Sequence, residues 1–283
     1  MSPARTLRFK QVDVFTRVPF RGNPVAVVLQ ADGLSADDMQ CIAGWTNLSE
    51  TTFVLPPSAG AADYRLRIFT PRAELPFAGH PTIGSAHAVL ESGFAKAAGG
   101  KLRQECGAGI LDLQVEGDTL WLDSPRATHT EFSDTRALQK ILNAKVKGAP
   151  QIMNVGPRWL VAELDDAEAV GALAPDMAAL AELSNRLSIG GVTVFGAAKA
   201  GTAAIHVRSF APAHGIPEDP VCGSGNISVA AYLRKAGRGG GGYVARQGMQ
   251  LERDGQVSIR FEGERILLGG SAVTCVDGTI RAG

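Results

Sequence analysis

The chain has 283 residues, of which 45% are hydrophobic and 20% charged, with 28 Lys plus Arg against 28 Asp plus Glu. That length and apolar content support a packed core in one large domain or two of ordinary size. A neutral balance gives no electrostatic footprint for nucleic acid or an acidic membrane, and no apolar run approaches the roughly 20 residues of a membrane-spanning helix.

The N-terminal stretch from Met1 to Phe9 is polar and lacks a signal-peptide core, so a cytoplasmic protein is expected. Leu7 to Phe15 alternates in part and reads as a strand. Asn23 to Leu29 is a nearly all-apolar second strand. Ser35 caps a helix with acids in its first turn, running to about Trp45. Asn47-Leu-Ser-Glu50 is a turn, which puts Glu50 at the entrance of a strand from Thr51 to Leu55. Tyr64 to Thr70 is a further strand. A long loop from Pro71 to His80 leads to a helix over Pro81 to Glu91, with Pro81 in its first turn.

Lys101 to Asp123 reads as strands joined by turns at Gly107-Ala-Gly109 and Gly117-Asp118. Residues 124–135 are polar and predict an interdomain linker, followed by a helix at 135–144. Strands are expected at Gln151 to Val155 and Trp159 to Glu163, then helices at Asp165 to Leu173 and Pro175 to Leu187. Strands follow at Val192 to Phe195 and Ala203 to Phe210. After a helix ending near Ala236, Gly237 to Gly242 forms a flexible turn. The rest is strands, at Tyr243 to Leu251, Gln256 to Glu262 and Ile266 to Val276. The four cysteines, at 41, 106, 222 and 275, lack zinc-like or redox spacing and read as reduced thiols. The five histidines are scattered, so no metal site is expected.

The chemistry concentrates in Gly215 to Leu233. Here Glu218, Asp219 and Pro220 precede Cys222-Gly-Ser-Gly225 and an apolar run at helical spacing. Free N–H groups at such a helix start bind anions, and small residues let a ligand approach. Pro76 to Leu90 has the same layout, with Gly79 matching Gly223, His80 matching Ser224 and Ile83 matching Ile227, at an offset of 144. Upstream, Arg67-Ile-Phe-Thr-Pro71 matches Arg208-Ser-Phe-Ala-Pro212, and Thr52-Phe-Val54 matches Thr193-Val-Phe195, both at an offset of 141. Three blocks in one order, offset by about half the length, point to duplication of one unit. Two anion-binding helix starts then predict a cleft between two halves.

With Asp13-Val-Phe15, Gly22 to Val28, Asn47 to Phe53, Arg67 to Pro71, Gly79 to Gly84 and Glu218 to Ser224 in order, the sequence resembles the PhzF-like (phenazine-biosynthesis-like) isomerases. That family shares its fold with diaminopimelate epimerase and proline racemase, and the resemblance covers essentially the whole chain. It implies an α/β (α+β) fold of two pseudo-symmetric domains, each a barrel-like sheet around a central helix. The expected division is 1–126 plus 271–283 and 127–270. It implies a homodimer, without metal or organic cofactor, that moves protons on a small carboxylate bound in the cleft. By motif position Glu50 would transfer the proton, with His80, Asp219 and Ser224 completing the catalytic group. Gly79, Gly223 and Ser224 would hold the substrate carboxylate through backbone N–H groups, with Asn23 and Cys222 also at the binding site.

The residues support the same chemistry directly. Deprotonating a carbon acid needs a base in contact and donors for the charge that develops. A glutamate in a partly apolar cleft has its proton affinity raised, and opposed helix starts stabilise the anion. Racemases of this fold use a cysteine at each helix start. Here the first position is Ala78, which excludes a two-thiol mechanism. The second is Cys222, where the PhzF pattern has threonine. An epimerase using Glu50 and Cys222, and a catalytically silent binding paralogue, are the alternatives. Loops 16–22, 124–135 and 211–217 would set specificity but carry no readable code.

Overall fold

A computed structural model describes residues 5–58, 60–199 and 201–282. The chain divides into two compact units, Met1–Leu122 with Gly269–Gly283, and Asp123–Leu268. In the first unit the strands are β1 (Arg5–Val14), β2 (Asn23–Leu29), β3 (Thr51–Leu55), β4 (Tyr64–Phe69), β5 (Glu74–Leu75), β6 (Lys101–Cys106), β7 (Gly109–Glu116) and β8 (Thr119–Asp123). The helices are α1 (Ala36–Thr46) and α2 (Gly79–Ser92). The second unit holds β9 (Thr128–Glu131), α3 (Thr135–Leu142), β10 (Lys147–Asn154), β11 (Arg158–Glu163), α4 (Ala167–Gly171), α5 (Met177–Leu187), β12 (Gly191–Ala197), β13 (Ile205–Ala211) and β14 (Ile216–Asp219). It continues with α6 (Gly223–Lys235), β15 (Tyr243–Gln247), β16 (Gly255–Glu262) and β17 (Arg265–Gly270), and the last strand, β18 (Ala272–Ala282), belongs to the first unit. There it pairs antiparallel with β1.

The strand pairings repeat. β2–β3 and β11–β12 are parallel, β3–β4 and β12–β13 antiparallel, β4–β6 and β13–β15 parallel, and β6–β7 and β15–β16 antiparallel. In each unit one helix follows the third of these strands and is wrapped by the sheet. α2 packs on β1, β2, β3, β4 and β18, and α6 packs on β10, β11, β12 and β16. Both helices are apolar or small nearly all round, as a sheet-enclosed helix must be. Gly84 allows the close approach of α2, since a Cβ there would lie 2.5 Å from Val25 Cγ1 and 2.8 Å from Val14 Cγ2.

The repeat extends to side chains. Arg67 makes a two-pronged ion pair with Glu74, and Arg208 makes the same pair with Glu218. The guanidinium carbon of Arg67 lies 5.1 Å from the Phe69 ring centroid, and that of Arg208 lies 4.9 Å from Phe210. Outside the wrapped helices, α1 covers a cluster of Leu7, Val28, Met39, Phe53 and Phe69. α3, α4 and α5 cover Leu138, Leu160, Val170, Leu180, Leu183 and Val192.

Several boundaries differ from the sequence expectation. α2 starts at Gly79 rather than Pro81, and Cys222-Gly-Ser-Gly225 is the cap and first turn of α6 rather than a loop before it. Glycine lowers local helix propensity, so these turns read as loops, and burial of the whole helix overrides that preference. Residues 124–135 include β9, paired with β10. The expected helix from Asp165 to Leu173 shortens to α4, whose start is capped by Asp166. The strand expected to Leu251 stops at Gln247, and Met249–Leu251 is a 3₁₀ turn. The strand expected from Ile266 to Val276 breaks at Ser271 into β17 and β18. No helix among the described residues is long and apolar enough to cross a membrane.

Candidate active site

In the first unit, α1 ends on Asn47 in the left-handed conformation, and the turn delivers Glu50 to the start of β3. The Glu50 carbonyl accepts from Ala26 N–H across the parallel β2–β3 pair, which fixes the backbone. α2 places His80 in its first turn, with N-cap Ala78 giving no side-chain cap. The N–H groups of Gly79 and His80 therefore start the helix without an intrahelical partner. His80 is buried, and its Nε2 lies 3.4 Å from Glu50 Oε2. Burial pulls the imidazole down to about 4, only partly opposed by a hydrogen bond to Pro24. Proline offers only a carbonyl, so the ring donates there. A neutral ring has one N–H, and the nitrogen facing Glu50 is left with its lone pair. Asn23, buried at the start of β2, precedes that proline. The structure thus brings Glu50 and His80 together, with Gly79 at the same helix start and Asn23 beside the carbonyl that orients the ring.

In the second unit, β14 ends at Asp219, whose Oδ1 accepts from Val221 N–H at 3.0 Å. The residue keeps some exposed surface, yet loss of water around its carboxyl pushes it up to about 6, with the Glu218 charge adding to the rise. The Cys222 thiol and the Val221 N–H oppose that shift. Cys222 is the N-cap of α6, its Sγ accepting from Gly225 N–H at 3.2 Å and lying 3.6 Å from Ser224 Oγ. Burial first, then the Asp219 charge, pushes the thiol well above its ordinary range. Gly223 and Ser224 form the first turn, so Asp219, Cys222, Gly223 and Ser224 meet at one helix start.

Two residues here have no sequence expectation. Gln247, fully buried at the end of β15, accepts from Cys222 N–H (3.2 Å) and Asn226 Nδ2 (2.8 Å) and donates to the Asp219 carbonyl (3.0 Å). Trp159 on β11 donates from Nε1 to Ser224 Oγ at 2.9 Å. Their partners lie 21 to 65 residues away, so no local pattern announces them.

The repeated sheets and wrapped helices define an α/β protein built from two like units. The family model for phenazine biosynthesis-like proteins matches residues 12–278, and the chain belongs to that family. A Schizosaccharomyces pombe protein named Antisense-enhancing sequence 1 is 41% identical, covering 95% of this chain and 97% of that protein. The trans-2,3-dihydro-3-hydroxyanthranilate isomerase of Pseudomonas fluorescens is 34% identical over the same shares of both chains. The solved PhzF-family protein of Bacillus anthracis superposes with a TM-score of 0.87 at 24% identity, covering 98% of this chain and 99% of that one. A hydroxyproline epimerase from Agrobacterium vitis shares the fold at a TM-score of 0.66 and 16% identity, over 98% and 91% of the two chains. The chain is an isomerase of this family.

Proposed function

We propose that the protein moves a proton on a small carboxylic acid held jointly by the starts of α2 and α6, in a cleft between the two repeats, with Glu50 as the acid and base. The observation that carries this reading is the Glu50–His80 pair, at 3.4 Å and partly shut off from water at an uncapped helix start. Ionised Glu50 takes a proton from the substrate carbon. The electron pair left behind moves into the conjugated system and is met by the helix N–H groups at Gly79, Gly223 and Ser224. The lone pair on His80 Nε2 accepts a hydrogen bond from the proton that Glu50 then carries. Glu50 returns this proton to a second carbon, so the protein ends as it began. Asp219, pushed up to about 6, accepts or supplies a proton at a polar substituent near neutral pH.

A thiol epimerase is less well supported, because burial and the Asp219 charge both oppose thiolate at Cys222. Neutral Cys222 serves the helix as a cap. A homodimer belongs to the same reading and is tested by light scattering. The decisive experiment is proton exchange in deuterated water followed by NMR, with trans-2,3-dihydro-3-hydroxyanthranilate as first compound and a panel of small carboxylates after it. Deuterium entering a carbon-bound position with wild-type protein, and not with Glu50→Gln, is the expected result. No exchange on any carboxylate would favour the silent binding protein.

A further inference from the structure

The two repeats differ at the positions flanking their helix starts. At the 141-residue offset Glu50 corresponds to Gly191, and at the 144-residue offset His80 corresponds to Ser224. Where the first repeat sets a carboxylate against the helix, the second has no side chain. A Cβ on Gly191 would lie 2.0 Å from the Phe210 carbonyl oxygen and 2.9 Å from Trp159 Cζ3. The backbone oxygen cannot yield, so the second repeat has no room for an acid there. Trp159 is the register partner of Gly191 on the parallel β11–β12 pair, and its ring lies over that glycine. Its indole makes the contact to the helix that Glu50 makes in the first repeat, reaching Ser224 Oγ at 2.9 Å.

An indole N–H can only donate. Ser224 Oγ must accept from Trp159, and its own proton must point elsewhere. The neighbour in reach is Cys222 Sγ at 3.6 Å. The thiol hydrogen-bonds the Asp219 carboxyl, which accepts, so the sulfur is left to accept from Gly225 N–H and from the Ser224 and Ser209 hydroxyls. The fixed donor at Trp159 sets a polarity that runs from Trp159 through Ser224 and Cys222 to Asp219. We infer that Trp159 is a positioning residue for Ser224, whose hydroxyl it holds as an acceptor, so that the serine proton turns from the long contact with Cys222 Sγ to a ligand anion when one binds at the start of α6. The anion in this statement rests on the proposed function, whereas the polarity of the hydrogen bonds does not.

Trp159→Phe keeps a ring over Gly191 and removes only the N–H. Ser224→Ala cuts the same bond from the other side without touching the core, should the first variant fold poorly. In ¹⁵N-labelled free protein, the indole cross-peak absent from Trp159→Phe identifies Trp159, and Ser224→Ala is expected to move it upfield. An unmoved indole proton overturns the inference whatever the protein catalyses. In exchange kinetics on trans-2,3-dihydro-3-hydroxyanthranilate, Trp159→Phe should lower kcat/KM by about 3- to 10-fold, the size of one hydrogen bond. It should cost nothing further in Ser224→Ala protein. Equal losses in both backgrounds mean that the ring acts by packing alone and refute the positioning role. If wild-type protein leaves that compound unchanged, the same cycle is read from inorganic phosphate binding at the Gly223 amide. Phosphate that binds Trp159→Phe as tightly as wild type, or does not bind wild type, overturns the inference.

Discussion

Asp219→Asn is expected to stabilise the protein at pH 8 and to lose that advantage in acid. The folded protein raises this carboxyl to about 6 from an ordinary value of 3.8. Between those pH values the folded chain holds a proton that the unfolded chain has lost, so stability falls as pH rises. The contribution is fully present below 3.8 and gone above about 6. The gap of roughly two pH units corresponds to about 3 kcal/mol as an upper limit. The residue keeps some exposed surface, and the amide loses a charge-assisted bond from Val221 N–H, so a measured gain of about 1–2 kcal/mol is expected. Urea unfolding at pH 4, 6 and 8, with midpoints and slopes compared to wild type, reads the gap directly. It should open between pH 4 and 6 and stay constant above 7. A gap of zero or opposite sign at pH 8, or one unchanged at pH 4, would refute the reasoning. The same variant should lose exchange activity, which would mark Asp219 as a charge kept at a cost in stability.

Glu50→Gln should lower exchange by about 10²–10⁴-fold with an unchanged melting temperature, and full activity in that variant removes Glu50 from the mechanism. Cys222→Thr should keep activity within a few-fold, and iodoacetamide should leave wild-type protein active at pH 8. A collapse of turnover in this variant with intact folding would restore the thiol epimerase. The two equivalent ion pairs should differ in worth. Arg208 and Glu218 are 6% and 7% exposed, whereas Arg67 and Glu74 are 27% and 42% exposed. Arg208→Ala leaves a buried carboxylate and should cost about 3–5 kcal/mol, while Arg67→Ala should cost less than about 1 kcal/mol. Equal losses in chemical denaturation would contradict this.

Much of the fold was legible because its signals are local. Ser35 with Asp38 forms the capping box that marks α1, and the apolar run at Asn23–Leu29 is β2 to the residue. The duplication was readable from Arg67 and Arg208, since each repeat reuses one arginine in one job. The glycine-rich helix starts were harder. Gly79 and Gly223 argue for a loop by propensity, and only enclosure by a sheet makes them helical. Glu50 could be placed beside a strand, but its 3.4 Å approach to His80 depends on a contact between residues thirty apart. Trp159 was unreadable as part of the site. A tryptophan in an apolar strand reads as core, and 6% exposure agrees with that until the indole N–H is asked for its acceptor.

Comparing the repeats separates scaffold from chemistry without any second sequence. Arg67 and Arg208, Phe69 and Phe210, and Glu74 and Glu218 are the same residue types in the same contacts. Among the positions that diverge are those around the helix starts: Leu75 against Asp219, Ala78 against Cys222, Glu50 against Gly191, and His80 against Ser224. This chain has one carboxylate with a neutral imidazole in one repeat, and an indole, a hydroxyl and a raised carboxyl in the other. Under the proposed function, this asymmetry assigns the single base to the first repeat and leaves the second without one. The steric closure at Gly191 makes the asymmetry hard to undo, because a second carboxylate there would have to displace the Phe210 backbone.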